Sequence, residues 1–301
     1  MDKYAASIAS YCIQIDWLSR GTMRIFCAVY LLILGLNPTL SAKDNIEEMK
    51  QSLVAKYIGK VVTLRHFYTG PKILFNADGR PTGRARIGPW TTCAKVEITQ
   101  LDLNETKLNL QGHRIFLYFD REQKAVISLR ANQAPAKQTK LAELRIDIPL
   151  IKDNGREPAL NAALDSIFLK DTENLANFVP QFWKLFLSRT TIPGKAELDA
   201  WYKAEIKSDE SGVVAPRQTR NFLPQYTEEA RMFRWEGVVL LAGVIDKDTG
   251  KMRDMQIIVP LGLGLDESAI GNLEKWQFTP GRHNGQPVSV RTIIEISFRL
   301  Y

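Results

Sequence analysis

The sequence has few of the residues on which disulfide frameworks and metal centres depend. Its 301 residues include three cysteines and three histidines. Cys12 and Cys27 fall in an N-terminal segment with the features of an export signal, and removal of that segment leaves Cys93 without a partner. Because no Cys-x-x-Cys spacing occurs, a zinc site has no support in the sequence. We therefore expect neither a metal nor any other cofactor.

The sequence also lacks a recognisable catalytic constellation. His66 and His113 lie in strand-like runs, and neither has a Ser, a Cys or paired carboxylates at a spacing that indicates a triad. Surface or structural roles suit both histidines better, and we predict no enzymatic activity. The net charge of +7 comes from Lys and Arg that are scattered along the chain instead of forming one stripe. We therefore expect no nucleic-acid partner.

The longest apolar run near the N-terminus is too short for a membrane-spanning helix, which needs about 20 residues. This run, Ile25 to Leu36, follows Met23-Arg24 and precedes small residues that end at Ser41-Ala42. That order is typical of a signal peptide. We predict that residues 1–42 hold an upstream extension and a cleaved signal, with Met23 as the hypothetical true start. The predicted location is the periplasm or cell envelope, or the inner membrane if the signal is not cleaved.

Residues 43–187 are predicted to form a mainly antiparallel β domain, a meander or small barrel with two helices. Gln111-Gly112 is among the turn signals that separate its strands. Helices are expected at Ala159 to Phe168 and around Asn177 to Leu187. Short β-branched or aromatic runs indicate the strands, at 60–67, 72–75, 94–101, 107–110, 114–119, 125–129 and 144–151. A barrel interior is suited to an apolar ligand, but the sequence does not indicate the function of this domain.

The composition changes between residues 188 and 211. Pro193-Gly194 is followed by a run of Lys, Asp and Glu residues, which predicts a linker with a short helical piece around Ala196 to Ile206. The linker has no long Pro-rich stretch of the kind that forms an extended spacer.

Residues 212–301 predict the order helix, strand, strand, helix, strand. Thr227 is expected to cap the first helix and Asp266 the second. The last strand has a strict alternation of side chains, a pattern of period 2 that predicts one buried and one wet face. Its predicted inner residues are Val290, Thr292, Ile294, Ile296, Phe298 and Leu300.

The same segment carries a specific set of motifs. It reads LPQYTEEAR from Leu223, WEGVVLLAGVIDKDTGKMRDMQIIV from Trp235 and GLDESAIGNLEKWQFTPGRHNGQPVSVRTIIEISFRL from Gly264. In order and spacing these residues resemble the TonB C-terminal domain family, although Thr227 stands where that family commonly has proline. The matching positions are Pro224, Tyr226, Ala230, Arg231, Gly237, Val239, Asp246, Gly250, Leu265, Asp266, Ala269, Trp276, Phe278, Pro280, Gly285, Pro287 and Val288.

The resemblance implies a small sheet packed on two helices, with an edge strand that pairs with an extended segment of an outer-membrane transporter. Such β-augmentation draws its affinity from main-chain hydrogen bonds. An alternative role for Pro224 and Tyr226, fixing the entry of the first helix, stays open. The residues that the resemblance assigns to partner binding are Pro224, Gln225, Tyr226, Arg291, Ile293, Glu295, Ser297 and Arg299.

As a whole, the sequence predicts an exported, protein-binding envelope protein with a role in TonB-dependent outer-membrane transport. One alternative is a membrane-anchored energy transducer, which requires that Ile25 to Leu36 be retained. Another is a small-ligand-binding or enzymatic β domain tethered by a TonB-like module. Because an unpaired strand edge can pair with its own copy, a strand-exchanged homodimer is also predicted.

Overall fold

The protein is described by a computed structural model over residues 42–135, 139–152, 155–188, 195–202, 206–207 and 210–300. The predicted signal peptide and Met23 start lie before residue 42 and outside the described residues. The helices are α1 (Ala42–Tyr57), α2 (Trp90–Cys93), α3 (Arg156–Ile167), α4 (Lys184–Leu187), α5 (Lys195–Trp201), α6 (Glu228–Phe233) and α7 (Leu265–Leu273).

Strands and helices together make an α+β fold, as predicted. The strands are β1 (Val61–Thr63), β2 (Lys72–Leu74), β3 (Lys95–Leu103), β4 (Lys107–Asp120), β5 (Ala125–Arg130), β6 (Glu143–Pro149), β7 (Ile206–Lys207), β8 (Val213–Val214), β9 (Arg217–Arg220), β10 (Gly237–Ile245), β11 (Met252–Val259), β12 (Gln277–Thr279), β13 (Gly281–His283), β14 (Gln286–Val288) and β15 (Val290–Phe298).

The N-terminal sheet has six strands in the order β1-β3-β4-β6-β2, with β5 paired to the second half of β4. All its pairs are antiparallel except β2 with β6. The sheet is open within the described residues, so of the two predicted forms, a meander or a small barrel, the barrel is wrong. Both end strands meet loop backbone instead of each other: Leu169 N donates to Thr63 O on β1, and Thr82 N donates to Leu74 O on β2.

Strand β4 runs without a break through Gln111-Gly112, where a turn was predicted. A Cβ atom on Gly112 would lie 2.3 Å from the carbonyl oxygen of Glu97 on β3. The register of β3 against β4 shifts between Ile98 and Gln100, next to this glycine. Gly112 therefore marks a close approach of two strand backbones beside a bulge, a second common reason for glycine in a β sequence.

The aromatic segment predicted as one helix is divided. It forms 3₁₀ turns at Leu175–Asn177 and Gln181–Trp183 and only then the short helix α4. Pro180 explains the division, since it has no N–H for a helical bond and disfavours helical backbone at the residue before it.

The C-terminal sheet has the strand order β11-β10-β15-β7. On one face, α6 and α7 pack against inward residues of β10 and β15, such as Val239 and Ile296. On the other face, Leu185 of α4 and Leu198 of α5 form a cluster with Val244. Helices therefore pack on both faces of this sheet, and on the Val244 face they cover only part of it.

The segment predicted as a linker contributes to this packing. Within residues 188–211, the predicted helical piece corresponds to α5, and β7 pairs with the beginning of β15. Leu198 and the adjoining Tyr202 are buried, and the Tyr202 hydroxyl donates to Asp254 O at 2.7 Å. The division of the chain into domains at this segment stays a prediction.

The two sheets share one core, and the chain from Ile46 onward forms one compact unit. The backbone of β4 bonds directly to the loop before α7: Leu263 N donates to Leu117 O at 2.8 Å and Phe119 N to Leu261 O at 3.2 Å. Beside these bonds, the rings of Tyr118 and Trp235 pack edge to face with centroids 4.2 Å apart. The N-terminal sheet therefore holds the C-terminal sheet through backbone bonds as well as side chains.

The cap predictions had different outcomes. Thr227 caps α6 as predicted, since its hydroxyl oxygen accepts from Ala230 N at 3.2 Å. Asp266 does not cap α7, which begins one residue earlier and follows Gly264 in a left-handed conformation. The Asp266 carboxylate instead accepts from Leu261 N and Gly262 N at 2.8 and 2.7 Å. It therefore fixes the loop that bonds to β4.

A buried tryptophan and a buried carboxyl group complete the shared core. Trp183 is fully buried, packs edge to face against Trp90 and donates its Nε1–H to Glu267 Oε1 at 2.8 Å. Burial raises the pKa of Glu267 to about 7. Burial and the neighbouring Glu267 raise the pKa of Asp266 to about 8, against the effect of its two backbone N–H donors.

Candidate functional site: the edge of the C-terminal sheet

The outer side of β15 is a largely unpaired backbone edge of the C-terminal sheet, whose other end strand, β11, pairs among the described residues with β10 alone. Strand β15 pairs with β10 along its whole length, from Val290 to Phe298. On its other side it pairs only with β7, at Val290 and Arg291. Within the described residues, no strand pairs with this side of β15 from Thr292 onward. Unpaired N–H and C=O groups of this kind are a template for another chain.

The side chains of β15 follow the predicted alternation. Val290, Ile296 and Phe298 are buried, Thr292 and Ile294 are half-buried, and Glu295 and Ser297 are exposed. Ile293 is 51% exposed, although it is a large apolar residue in a strand.

Four of the residues assigned to partner binding therefore line one exposed row. Arg299, which follows the strand, is exposed like the outward residues of β15. The row consists of Ile293, Glu295, Ser297 and Arg299.

Arg291 belongs to the same row but is already engaged within the chain. Its side chain is 11% exposed, and its Nη2 lies 2.7 Å from Asp199 Oδ1 on α5. Asp199 Oδ2 accepts from Lys207 Nζ on β7, also at 2.7 Å, and the Arg291 guanidinium lies over the Tyr202 ring. The hydrogen bond from Lys207, followed by that from Arg291, lowers the pKa of Asp199.

We call α5 and β7, residues 195–201 and 206–207, the clasp. The clasp covers the beginning of β15 and holds Arg291, so that Arg291 is not placed with the exposed row. This arrangement could not be predicted from local pattern, because Asp199 lies far from Arg291 along the chain and resembles any other helix-surface carboxylate.

The segment from Pro224 to Tyr226 lies at the opposite end of β15. The Tyr226 ring packs edge to face against Phe298 with centroids 5.6 Å apart, and its hydroxyl donates to Trp235 O at 3.1 Å. Gln225 is exposed, and its carbonyl accepts from Ser268 Oγ on α7. Pro224 is half-buried. The structure therefore brings this segment next to the end of the exposed row.

Two exposed apolar residues that were not assigned to the site precede this segment. Leu223 is 91% exposed, and Phe222 is also exposed while its carbonyl accepts from Asn272 Nδ2 and Trp276 Nε1. The bonds fix the backbone of Phe222, so the exposure of its side chain is built into the fold. Two adjacent apolar residues directly before Pro224, in an otherwise polar segment, were the sequence signal for this feature.

Comparison with known proteins identifies this part of the chain. Residues 223–300 match the family described as Gram-negative bacterial TonB protein C-terminal. These residues therefore form a TonB C-terminal domain, a member of a family of envelope protein-interaction modules. The match leaves the N-terminal sheet and the clasp outside it.

Among solved structures, the chain matches the TonB C-terminal domain of Pseudomonas aeruginosa, determined by solution NMR. The two share 22% sequence identity, the match covers 32% of this chain and 95% of that one, and the TM-score is 0.26. No curated protein has a sequence that matches this chain.

Two further features can be stated for the described part of the chain. No helix there is long and apolar enough to cross a membrane. No three His, Cys, Asp or Glu side chains within the same ranges lie close enough together to hold a metal ion. Both His66 and His113 are exposed.

Proposed function

We propose that this is a periplasmic or envelope protein that binds an extended segment of another protein along the open edge of β15. The observation that supports it most strongly is the length of that edge, from Thr292 to Phe298, in a domain of the TonB C-terminal family. Backbone groups of the edge supply the affinity, and the exposed row of Ile293, Glu295, Ser297 and Arg299 supplies the selectivity.

The charges and apolar groups near the edge define the partner. An apolar side chain packs beside Ile293, and a basic one faces Glu295, while Leu223 and Tyr226 contact the partner where it leaves the strand. The partner class is the periplasmic segment of an outer-membrane transporter, and the function is a role in TonB-dependent transport. Pro224 and Gln225 position this end of the site.

The clasp limits the length of the partner. Because β7 already pairs with Val290 and Arg291, an added strand has room only from Thr292 onward. The partner strand is therefore short, about as long as the remaining seven residues of β15, Thr292 to Phe298.

The binding test uses a fluorescent peptide copied from the periplasmic segment of a transporter of the same organism, titrated with the full mature protein. We expect saturable binding, and a loss of at least roughly tenfold, about 1.4 kcal/mol, when alternate backbone nitrogens of the peptide are methylated. Methylation removes main-chain donors but keeps every side chain. Equal affinity for the methylated peptide contradicts β-augmentation.

A second copy of the chain is a competitor for the same edge, and we retain the strand-exchanged homodimer as part of the proposal. Light scattering of the free protein and of the protein saturated with peptide tests it. The homodimer is expected to dissociate on saturation. A monomer at every concentration, or a dimer that peptide does not disturb, contradicts shared use of the edge.

N-terminal sequencing of the mature protein distinguishes between two hypotheses, an exported protein with a cleaved signal and a membrane-anchored energy transducer. Export predicts a start just after Ala42 in the soluble envelope fraction. An intact Ile25 to Leu36 segment in the inner membrane supports the transducer.

A further inference from the structure

A cavity of about 1040 Å³ opens between the N-terminal sheet and the beginning of α6. Gly70, Pro71 and Leu141 line it on one side, and Tyr226 and Glu229 on the other. Its volume lies just above the range of roughly 300–1,000 Å³ that is typical of small-molecule sites. The cavity is separate from the backbone edge of β15, although Tyr226 borders both.

A buried guanidinium group forms part of the cavity wall. Arg114 of β4 is 4% exposed. It donates from Nη1 to Cys93 O at 3.0 Å and from Nη2 to Tyr68 O and Gly70 O at 2.7 and 3.0 Å. All three acceptors are neutral carbonyl groups, and no carboxylate of the described chain lies within ion-pair distance.

This arrangement leaves the Arg114 charge without a carboxylate in direct contact among the described residues. Arginine has five N–H donors and stays protonated in proteins, so three bonds to carbonyls satisfy part of its hydrogen bonding and none of its charge. A charge that is removed from water without a partner of opposite sign is strongly unfavourable. A bound anion in the cavity would remove that penalty.

The acid that faces Arg114 does not fill this role. Glu229 lines the cavity from α6 but forms no ion pair with Arg114, and burial raises its pKa while Arg114 acts in the opposite direction. Lys140 and Glu228 are the other charged groups of the lining. Burial raises the pKa of Glu229, so its carboxyl group opposes an anion at Arg114 less than a permanently ionised carboxylate would.

We propose that this cavity binds a small organic carboxylate, with the carboxylate at Arg114 and the apolar body of the ligand against Pro71, Pro89 and Leu141. The three prolyl and leucyl side chains supply an apolar wall, and Arg114 supplies the single buried cation. If Arg114 had only a structural role and held the loop at Tyr68 and Gly70 to Cys93, the cavity would show no preference for anions.

The experiment compares two probes of the same shape by calorimetric titration of the full mature protein. 4-Phenylbutyrate carries the carboxylate, and 4-phenylbutanol is its uncharged counterpart. We expect the acid to bind at least tenfold more tightly than the alcohol. Equal affinity for the two, or no binding of the acid, overturns the proposal.

Two variants make the test independent of folding defects at Arg114. E229Q removes a competing negative charge, and we expect it to bind 4-phenylbutyrate several-fold more tightly at neutral pH. In the wild type, affinity falls as pH rises and Glu229 ionises, whereas in E229Q it does not. L141W fills the cavity without touching the Arg114 bonds and is expected to abolish binding. Unchanged affinity in both variants places the probe elsewhere and overturns the proposal.

Discussion

The N-terminal and C-terminal sheets of this protein differ in how the backbone of their edge strands is covered. In the N-terminal sheet, the strands at both ends of the strand order, β1 and β2, are met by loop backbone at Leu169 and Thr82. In the C-terminal sheet, β15 is met by β7 over two residues and is open beyond them. In the described part of the chain, strands β5 and β11 also pair on one side only, so an open edge alone does not define a site. The edge of β15 differs from these in lying within the TonB C-terminal domain next to exposed apolar residues, and this combination supports the proposed partner-binding surface.

The edges of both sheets keep their positions only if the shared core is intact, because that core holds the two sheets together. Trp183→Ala removes a fully buried side chain and the donor to Glu267. We expect the free energy of unfolding to fall by about 3–5 kcal/mol, measured by urea denaturation. Trp201→Ala, at an exposed tryptophan of the clasp, is the control and should cost much less. Similar losses in both variants contradict a core centred on Trp183.

The pH dependence of stability tests the same shared core, because the carboxyl group of Glu267 is buried in it. Its unfolded pKa is about 4.3, and burial raises the folded pKa to about 7. Between these values the folded protein binds more protons, so its stability falls as pH rises through this window.

Glu267→Gln should weaken this dependence and leave the part due to Asp266, and it should stabilise the protein at pH 8 relative to the wild type. The difference from the wild type should become small at pH 5, near the unfolded pKa. Unfolding curves at both pH values measure it, with Glu274→Gln on the exposed end of the same helix as the control. A pH-independent difference contradicts a protonation effect.

A matched pair of variants tests the edges themselves. Ile293→Glu on β15 and Val126→Glu on β5 each place a charge at an exposed apolar residue of a strand. We expect Ile293→Glu to weaken peptide binding roughly tenfold, about 1.4 kcal/mol, because it removes an apolar contact and adds charge beside Glu295. Val126→Glu should leave affinity unchanged. Equal effects of the two would show that the edge of β15 has no special role.

The smallest expected effect concerns the clasp. Asp199→Asn removes the charge that joins Arg291 to Lys207, so amide exchange at Ile206 should become faster and peptides longer than the open edge should bind a few-fold more tightly. Asp248→Asn, at an exposed turn carboxylate, is the control. Unchanged exchange at Ile206 contradicts a clasp held by Asp199.

The direction of the pH effect on the clasp follows from the lowered pKa of Asp199. The stabilisation by Asp199 is present above its unfolded pKa of about 3.9 and is lost as pH falls through the folded value. Wild-type protein at acidic pH should therefore resemble Asp199→Asn at neutral pH. Hydrogen exchange at Ile206 measures both.

Local pattern was enough to predict the parts of the fold that depend on near neighbours. The alternation of β15 predicted which side chains are buried, and Thr227 was recognised as a cap from its position before two glutamates. The exposed row of the candidate site follows from that same alternation, which is why Ile293 and Glu295 were placed correctly on the outer face.

Features that depend on contacts distant in sequence could not be predicted in this way. Trp183 meets Glu267 across 84 positions of the chain. The engagement of Arg291 likewise requires knowledge of where α5 packs. Gly112 was misinterpreted because a close strand approach and a turn select the same residue, and only the position of β3 distinguishes them.

The most direct test of the account is hydrogen exchange of the full mature protein with and without the transporter peptide, resolved to single amides of β15. Binding along the open edge predicts slower exchange at alternate residues between Thr292 and Phe298, with little change in β1 and β2. Protection confined to other parts of the molecule, or none at all with peptide bound, would contradict the proposal that this edge is the partner-binding site.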